Sequence, residues 1–288
     1  MTERAEQAKT TPASGGGRRR VSSVVAAIVI PLLGIAIFLG IWQGLSSWAG
    51  VYTMPSPTIT FRHIADNLVH SDYLESHGLS TGAGYLSHIG FTVRNVLFGV
   101  AIGAALGVSV GLLSMRSKVV AEIATPLAAT FGAAPIFVAA PFFLIWFGIV
   151  STAQVLMVSF YTAILMYIFS RRAAENLAAQ FVESALTLGG SGWSIVRRIY
   201  VPGTVPEVRG AFRVALAGAW GLAAISELLG SEQGAGFLIK FFATAFVIDG
   251  MFALTFLLGI VAVIFDRLAV LGFAYLTRWS EAGRRLAL

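Results

Sequence analysis

Residues 173–203 read AAENLAAQFVESALTLGGSGWSIVRRIYVPG, a polar segment set between two very apolar stretches. Within it Leu177, Phe181, Ala185 and Leu188 fall at helical spacing, and Gly189 stands where a left-handed residue would end that helix. Ser191 then caps a second helix in which Trp193, Val196 and Ile199 share a face, and Pro202 ends it before the next apolar run. The segment reads as two short helices joined by a glycine bend and lying outside a bilayer. Helices tethered in this way between spans offer a docking surface to something soluble.

The neighbouring stretches decide the fold class. Apolar residues make up 57% of the 288 residues and charged residues 12%, about half the charge of a soluble domain. Several windows reach the roughly 20 residues that cross a hydrocarbon core. Their length favours helices over a barrel, whose strands would alternate over roughly 10 residues. Six spans are expected: Val21–Trp48, Thr92–Met115, Val119–Ile149 interrupted by Pro126, Pro135 and Pro141, Thr152–Ser170, Val205–Leu229 and Met251–Tyr275. The fold class is an all-α polytopic membrane protein. With the amino terminus inside, nearly all basic residues fall on the cytoplasmic side, Arg62, Arg94 and Lys240 excepted, and both termini are cytoplasmic.

Residues 1–20, with Gly15–Gly17 and Arg18–Arg20, are expected to be a disordered cytoplasmic tail. Residues 21–277 form the transmembrane domain, with an outer segment at 50–90 and a cytoplasmic loop at 173–203, and 278–288 form a second tail. The apolar run after Arg20 is too long for a signal-peptide core and lacks a small-residue cleavage site, so it reads as a retained anchor.

The net charge of +6 does not indicate nucleic acid, because the bases sit at span ends and form no stripe interleaved with aromatics. The two loop helices also lack the polar recognition helix of a DNA reader. Without cysteine there are no disulfides, thiolate chemistry or cysteine metal sites. His63, His70, His77 and His88 all lie in the outer segment. Asp66 shares a helix face with His63 or His70, but the spacings match no metal motif, and no metal site is expected.

Inside the spans, Gly99, Gly103, Gly107 and Gly111 recur every four residues on nearly one face, a seam that lets another backbone approach, whether static or sliding. Pro135 to Pro141 loosens the third span, either as a simple kink or as backbone lining a pathway or the bundle interior. Glu227 is the acidic residue nearest membrane depth, a functional candidate or a structural salt bridge, and Arg94 has the same two readings. Outside the spans, Thr58 to Val69 reads as a surface helix capped by Thr58 or Thr60, and residues 230–250 as a re-entrant or interfacial helix. No internal repeat of the kind found in many secondary transporters is visible.

The loop resembles the permeases of ATP-binding-cassette (ABC) importers, whose cytoplasmic signature is Glu-Ala-Ala, three residues, Gly, nine residues, Ile, one residue, Leu-Pro. This chain has Glu183-Ser184-Ala185, Gly189, Ile199 and Val201-Pro202 in register, with Ser184 for an alanine and Val201 for a leucine. Met54-Pro55-Ser56-Pro57, the glycine series, Ala134-Pro135 with Pro141 to Gly148, Ile225 to Gly230 and Gly234-Ala235-Gly236 resemble the nitrate, sulfonate and taurine branch. Ala235 stands where that branch often has a leucine.

The resemblance implies the type I importer permease fold and a transport subunit that is not itself an enzyme. Separate ATPase subunits would bind ATP and Mg and grip the loop, with Glu183 paired to a base, Gly189 allowing the bend, and Ala185 and Ile199 packed in the ATPase groove. A second permease copy would complete the pathway, and an extracytoplasmic solute-binding protein would deliver a small anion near residues 50–60 and 230–249. Pro135, Pro141, Trp146, Ser159 and Glu227 are the expected pathway residues. The chain itself has no phosphate-binding loop, since Lys9, Lys118 and Lys240 follow Ala, Ser and Ile rather than Gly. A gradient-driven transporter would need paired charges inside the spans, which the sequence offers almost nowhere. A membrane scaffold that recruits a soluble partner through the loop is the other alternative.

Overall fold

The computed structural model describes residues 16–50, 52–79, 84–148, 150–177 and 179–278. Among them every regular element is a helix. The chain divides into two compact units at Ile59 and Thr60.

In the first unit α1 (Gly16–Ala49) contains Pro31 and a span-length apolar stretch, Val29–Ala49. It begins at Gly16, so Arg18–Arg20 lie in its first turns; residues 1–15 of the expected tail lie outside the described residues. Gly50 turns the chain at φ +82°. Trp42 Nε1 then donates to Pro55 O at 3.0 Å and Ser46 Oγ to Met54 O at 2.8 Å, which folds the Met54-Pro55 stretch back on the helix end. The next helix, α2 (Pro57–Asn67), is capped by Ser56, whose Oγ accepts from Ile59 N at 3.3 Å. The expected caps, Thr58 and Thr60, lie inside it. Proline at the first helical position explains the earlier start, since its missing N–H would have been unpaired there anyway.

The second unit is built on α4 (Tyr85–Ser114) and α7 (Ser151–Glu175), preceded by the short α3 (Asp72–Ser76). A methyl group added to Gly99 would lie 2.6 Å from Val158 Cβ, one at Gly103 2.6 Å from Thr162 Cβ, and one at Gly107 2.7 Å from Met166 Cβ. Gly111 meets Ser170 in the same way. The glycine series is therefore a packing seam against α7. At one end of it buried Asn95 donates to Gln154 Oε1 at 2.6 Å and accepts from Ser151 Oγ at 2.7 Å, so these polar groups satisfy each other across the helices.

Partners on α7 advance in the same sense as the glycines on α4, so the two helices are parallel. The chain between them must therefore return across the layer. It does so as a broken pair, α5 (Lys118–Ala133) and α6 (Ile136–Phe147), bent by 105°. The break falls at Ala134-Pro135, where Ala134 is extended at ψ 137° as a residue before proline prefers. Pro126 and Pro141 sit inside α5 and α6 without interrupting them. Counting the pair as one span gives six candidate spans among the described residues.

The long helix α10 (Val201–Gly230) crosses α4 and α7 in the opposite sense, with Val208 and Ala211 on Met166 and Ala173 near its start. It is followed by α11 (Ala235–Thr244) and α12 (Ile248–Leu276). Leu238 and Phe242 of α11 pack with Leu74, Tyr85 and Leu254. α4 starts at Tyr85, seven residues before the expected Thr92, because its polar first turns are buried against α11.

The seam makes a contrast within one helix. Gly103→Ala is expected to destabilise the purified protein by about 1–3 kcal/mol through overpacking. Gly90→Ala, with nothing within 4 Å of the added carbon, is expected to be neutral or to stabilise by up to about 1 kcal/mol through helix propensity. Thermal unfolding in detergent compares the two, and an equal loss in both would remove the seam from the account.

Candidate functional site

The polar loop between α7 and α10 folds into α8 (Ala179–Thr187) and α9 (Gly192–Ile195). Gly189 has φ +79°, with Gly189 N donating to Leu186 O at 2.9 Å and Gly190 N to Ala185 O at 2.8 Å. That pair of bonds closes α8 as a Schellman motif, which a left-handed glycine permits. Ser191 Oγ accepts from Ser194 N at 3.4 Å and starts α9. The bend and both helices agree with the sequence reading.

The faces differ from it. Leu177 lies before α8 and packs on Gly203, where an added methyl would be 2.8 Å from Leu177 Cδ2, while Leu188 is 88% exposed. They do not form one stripe with Phe181 and Ala185. Pro202 does not end the second helix. The backbone passes from α9 through a π turn, Val196–Tyr200, directly into α10, giving an unbroken helical run Gly192–Gly230. Pro202 follows the π turn, at the join where the helix changes from π to α. The wider π turn also alters the side-chain period, so Trp193 is exposed, Val196 is buried on Leu112 and Ala174, and Ile199 is half-buried. Glu183, Ser184, Phe181 and Trp193 remain exposed on the loop, and Ala185 is half-buried. The loop is thus anchored to the bundle by Val196 and presents acidic and apolar groups away from it.

The expected pathway residues separate. Pro135 and Trp146 border an open apolar groove of about 560 Å³ with Phe131, Phe142 and Phe160, and Pro141 is exposed on α6. Ser159 is buried in the α4–α7 seam, its Oγ donating to Val155 O at 2.7 Å. Glu227 is 0% exposed. Its Oε2 accepts from Thr92 Oγ1 at 2.9 Å and from Gly236 N at 2.9 Å. Ala235 N donates to Thr92 Oγ1 at 2.9 Å, and Gly234 N to His88 Nδ1 at 3.3 Å. Three successive N–H groups at the start of α11 are therefore capped by side chains of α4 and α10. A carboxylate and two polar side chains suit the positive end of a helix.

Sequence reasoning missed this capping role and also missed an ion pair. Arg213 of α10 donates from Nε to Asp266 Oδ1 at 2.6 Å and from Nη2 to Asp266 Oδ2 at 2.8 Å. The spans therefore do hold a paired charge. In the sequence Asp266 stands beside Arg267 and Arg213 one turn after Arg209, and only the antiparallel contact of α10 with α12, also seen in Trp220 on Phe265, shows that Arg213 and Asp266 pair. Arg94 reaches Ser151 Oγ at 3.4 Å and covers the Phe91 ring. Among the histidines, His63 bonds Tyr85 at 2.8 Å and Asp249 at 3.2 Å instead of Asp66, and exposed His70 contacts Asp72 and Glu75.

A polytopic helical membrane protein with a helical loop held at one end of its bundle is the class these features define. Residues 99–272 match the family described as "binding-protein-dependent transport system inner membrane component", and the chain belongs to it. It is similar to the formylaminopyrimidine transport permease protein ThiX of Halalkalibacterium halodurans, 27% identical over 246 residues that cover 85% of this chain and 90% of that one. It is also similar to the putative aliphatic sulfonates transport permease protein SsuC of Bacillus subtilis, 23% identical over 205 residues, 71% of this chain and 70% of that one. Among solved structures an amino acid ABC transporter with histidines matches with a TM-score of 0.54 at 16% identity, covering 72% of this chain and 97% of that one, a likeness of fold. The chain is a multi-pass cell-membrane permease component of an ABC importer.

The ion pair gives a test of its own. Arg213→Leu strands the Asp266 carboxylate among apolar helices and is expected to lower thermal stability more than the double variant R213L/D266L, which removes both charges. Melting of the three purified proteins reads the order.

Proposed function

We propose that this chain forms half of the translocation pathway of an ATP-driven importer and is completed by a second copy of itself. Two separate ATPase subunits drive it, and an extracytoplasmic solute-binding protein delivers the solute. The observation that carries this reading is the loop, a glycine-bent helix pair tied to the bundle through Val196 and exposing Glu183, Leu188 and Trp193. Exposed apolar and acidic groups on an otherwise polar loop suit a groove on a soluble partner with a basic group for Glu183. Arg116, Lys118, Arg171, Arg172, Arg197 and Arg198 cluster at this end of the bundle, which favours a cytoplasmic position for it and for both termini.

In this mechanism the loop docks on the ATPase through Glu183, Ser184, Ala185 and Ile199. Gly189 supplies the bend, and Pro202 stands where the loop joins α10. ATP and Mg are bound by the partner, and closure of two ATPases rocks the attached spans. Pro135, Pro141 and Trp146 on the exposed α6 side, and Ser159 and Glu227, each buried elsewhere in the bundle, are the pathway candidates. The membrane lipids cover the remaining apolar faces. For the solute we favour a small anion of the nitrate, sulfonate or taurine kind, supported by the likeness to SsuC. A formylaminopyrimidine is the second reading, favoured by the longer match to ThiX.

Proteoliposomes holding the permease with its ATPase and binding protein test both levels. ATP-dependent uptake of taurine, an alkanesulfonate or nitrate, with none of formylaminopyrimidine, is the expected result. Uptake driven by an ion gradient with the chain alone would sink the reading, and no uptake with any partner would favour a scaffold. Glu183→Ala is expected to lose ATPase co-purification and coupled uptake at least tenfold while inserting normally. Wild-type transport by that variant would remove Glu183 from the coupling role.

A further inference from the structure

We propose that Gly192–Gly230 acts as a single lever between the docking loop and the far end of the bundle, with Glu227 as the positioning residue that fastens α11 to it. The inference rests on the reading of the loop as the ATPase contact, and adds how movement there reaches the opposite side.

The helical run is 39 residues long, about 58 Å at 1.5 Å per residue. No break occurs between the loop helix α9 and the last turn of α10, so of the partner's contacts Ile199 belongs to the run whose last turn holds Glu227, while Glu183, Ser184 and Ala185 on α8 reach it through the Gly189 bend. At the loop end Val196 packs on Leu112 and Ala174. At the far end Glu227 Oε2 accepts from Gly236 N, the third of the capped N–H groups of α11. Backbone contact strengthens the joint, since a methyl on Gly236 would lie 2.8 Å from Glu227 Cβ, and Gly236 also abuts the Ala224 carbonyl. Gly234, at φ +109°, leaves room for the Glu227 carboxylate where any side chain would collide with it.

No other helix among the described residues is both continuous with the loop helix α9 and bonded to α11. α4 reaches α11 through His88 and Thr92 but meets the loop only by packing, Leu112 on Val196, and ends at a turn, Met115 to Ser117. α7 ends at Glu175 before the loop begins. Movement of the loop is therefore passed to α11 through α10, with the Glu227 bond as its last link. α11 in turn carries Leu238 and Phe242 into the cluster with Leu74 and Tyr85, so its displacement rearranges the whole far end.

The chain has no cysteine, so single reporters can be placed without removing any. An environment-sensitive thiol fluorophore is attached at Lys240→Cys, an exposed position of α11, or at Asn176→Cys at the exposed base of the loop, in the complex reconstituted with its ATPase. Emission is read before and after trapping with ATP and vanadate. Both positions are expected to shift in the otherwise unaltered chain. In Glu227→Leu the shift at 240 is expected to fall at least fivefold while that at 176 persists. Glu227→Gln keeps an oxygen acceptor for Gly236 N and is expected to restore the shift, which a general loss of folding would not allow. Thr92→Val serves if Glu227→Leu does not insert, with an expected loss of at least twofold at 240. A full shift at 240 in Glu227→Leu or Thr92→Val overturns the lever. No shift at 176 in the unaltered chain instead defeats the ATPase reading, and the lever with it.

Discussion

The close approach of α4 and α7 is the constraint on which the rest of the second unit depends. Lipid tails are as apolar as leucine, so helices in a bilayer gain little from burying apolar surface against one another, and close packing has to hold them. Four glycines at a spacing of four bring the α4 backbone onto Val158, Thr162, Met166 and Ser170 of α7. Because this contact is parallel, the sequence between the helices is obliged to cross back. The bent α5–α6 pair follows from that obligation, and Ala134-Pro135 supplies the break. Asn95 and Gln154 fix the register at one end of the seam, since sliding either helix would leave buried amides without partners.

Legibility followed the range of the interactions. The loop's bend was readable because Gly189, Ser191 and their bonds lie within five residues of one another, and local chemistry decides them. The glycine seam was readable as a periodicity, although its partner helix was not. The span count was readable from composition. The continuation of the loop helix into α10 was hidden, because a proline after a short helix ordinarily signals an end, and the π turn that joins α9 to α10 just before Pro202 has no recognised sequence mark. The cap at Ser56 was obscured by two threonines that also suit the role.

Glu227 and the Arg213–Asp266 pair were hidden for a different reason. Thr92 stands 135 residues from Glu227, and Asp266 stands 53 residues from Arg213. Nothing in the neighbouring sequence marks the partner of any of these side chains, and their meaning depended on which helices meet. The resemblance of Ile225 to Gly230 and Gly234 to Gly236 to one branch of permeases marked the region without saying that the two blocks bond to each other. Gly236 N on Glu227 is that bond.

The capping of α11 also explains why a carboxylate is kept at a depth where charge is costly. The helix starts in Gly234-Ala235-Gly236, residues with no side-chain oxygen to accept its first N–H groups. Serine or aspartate at Gly234 would supply one in a soluble helix, but φ +109° and the nearness of the Glu227 carboxylate exclude a side chain there. The acceptors must then come from other helices, and His88, Thr92 and Glu227 supply them. An α11 capped in this manner has no satisfied start of its own. Its position is set by α4 and α10 together, so a relative movement of those two helices strains the bonds that begin it.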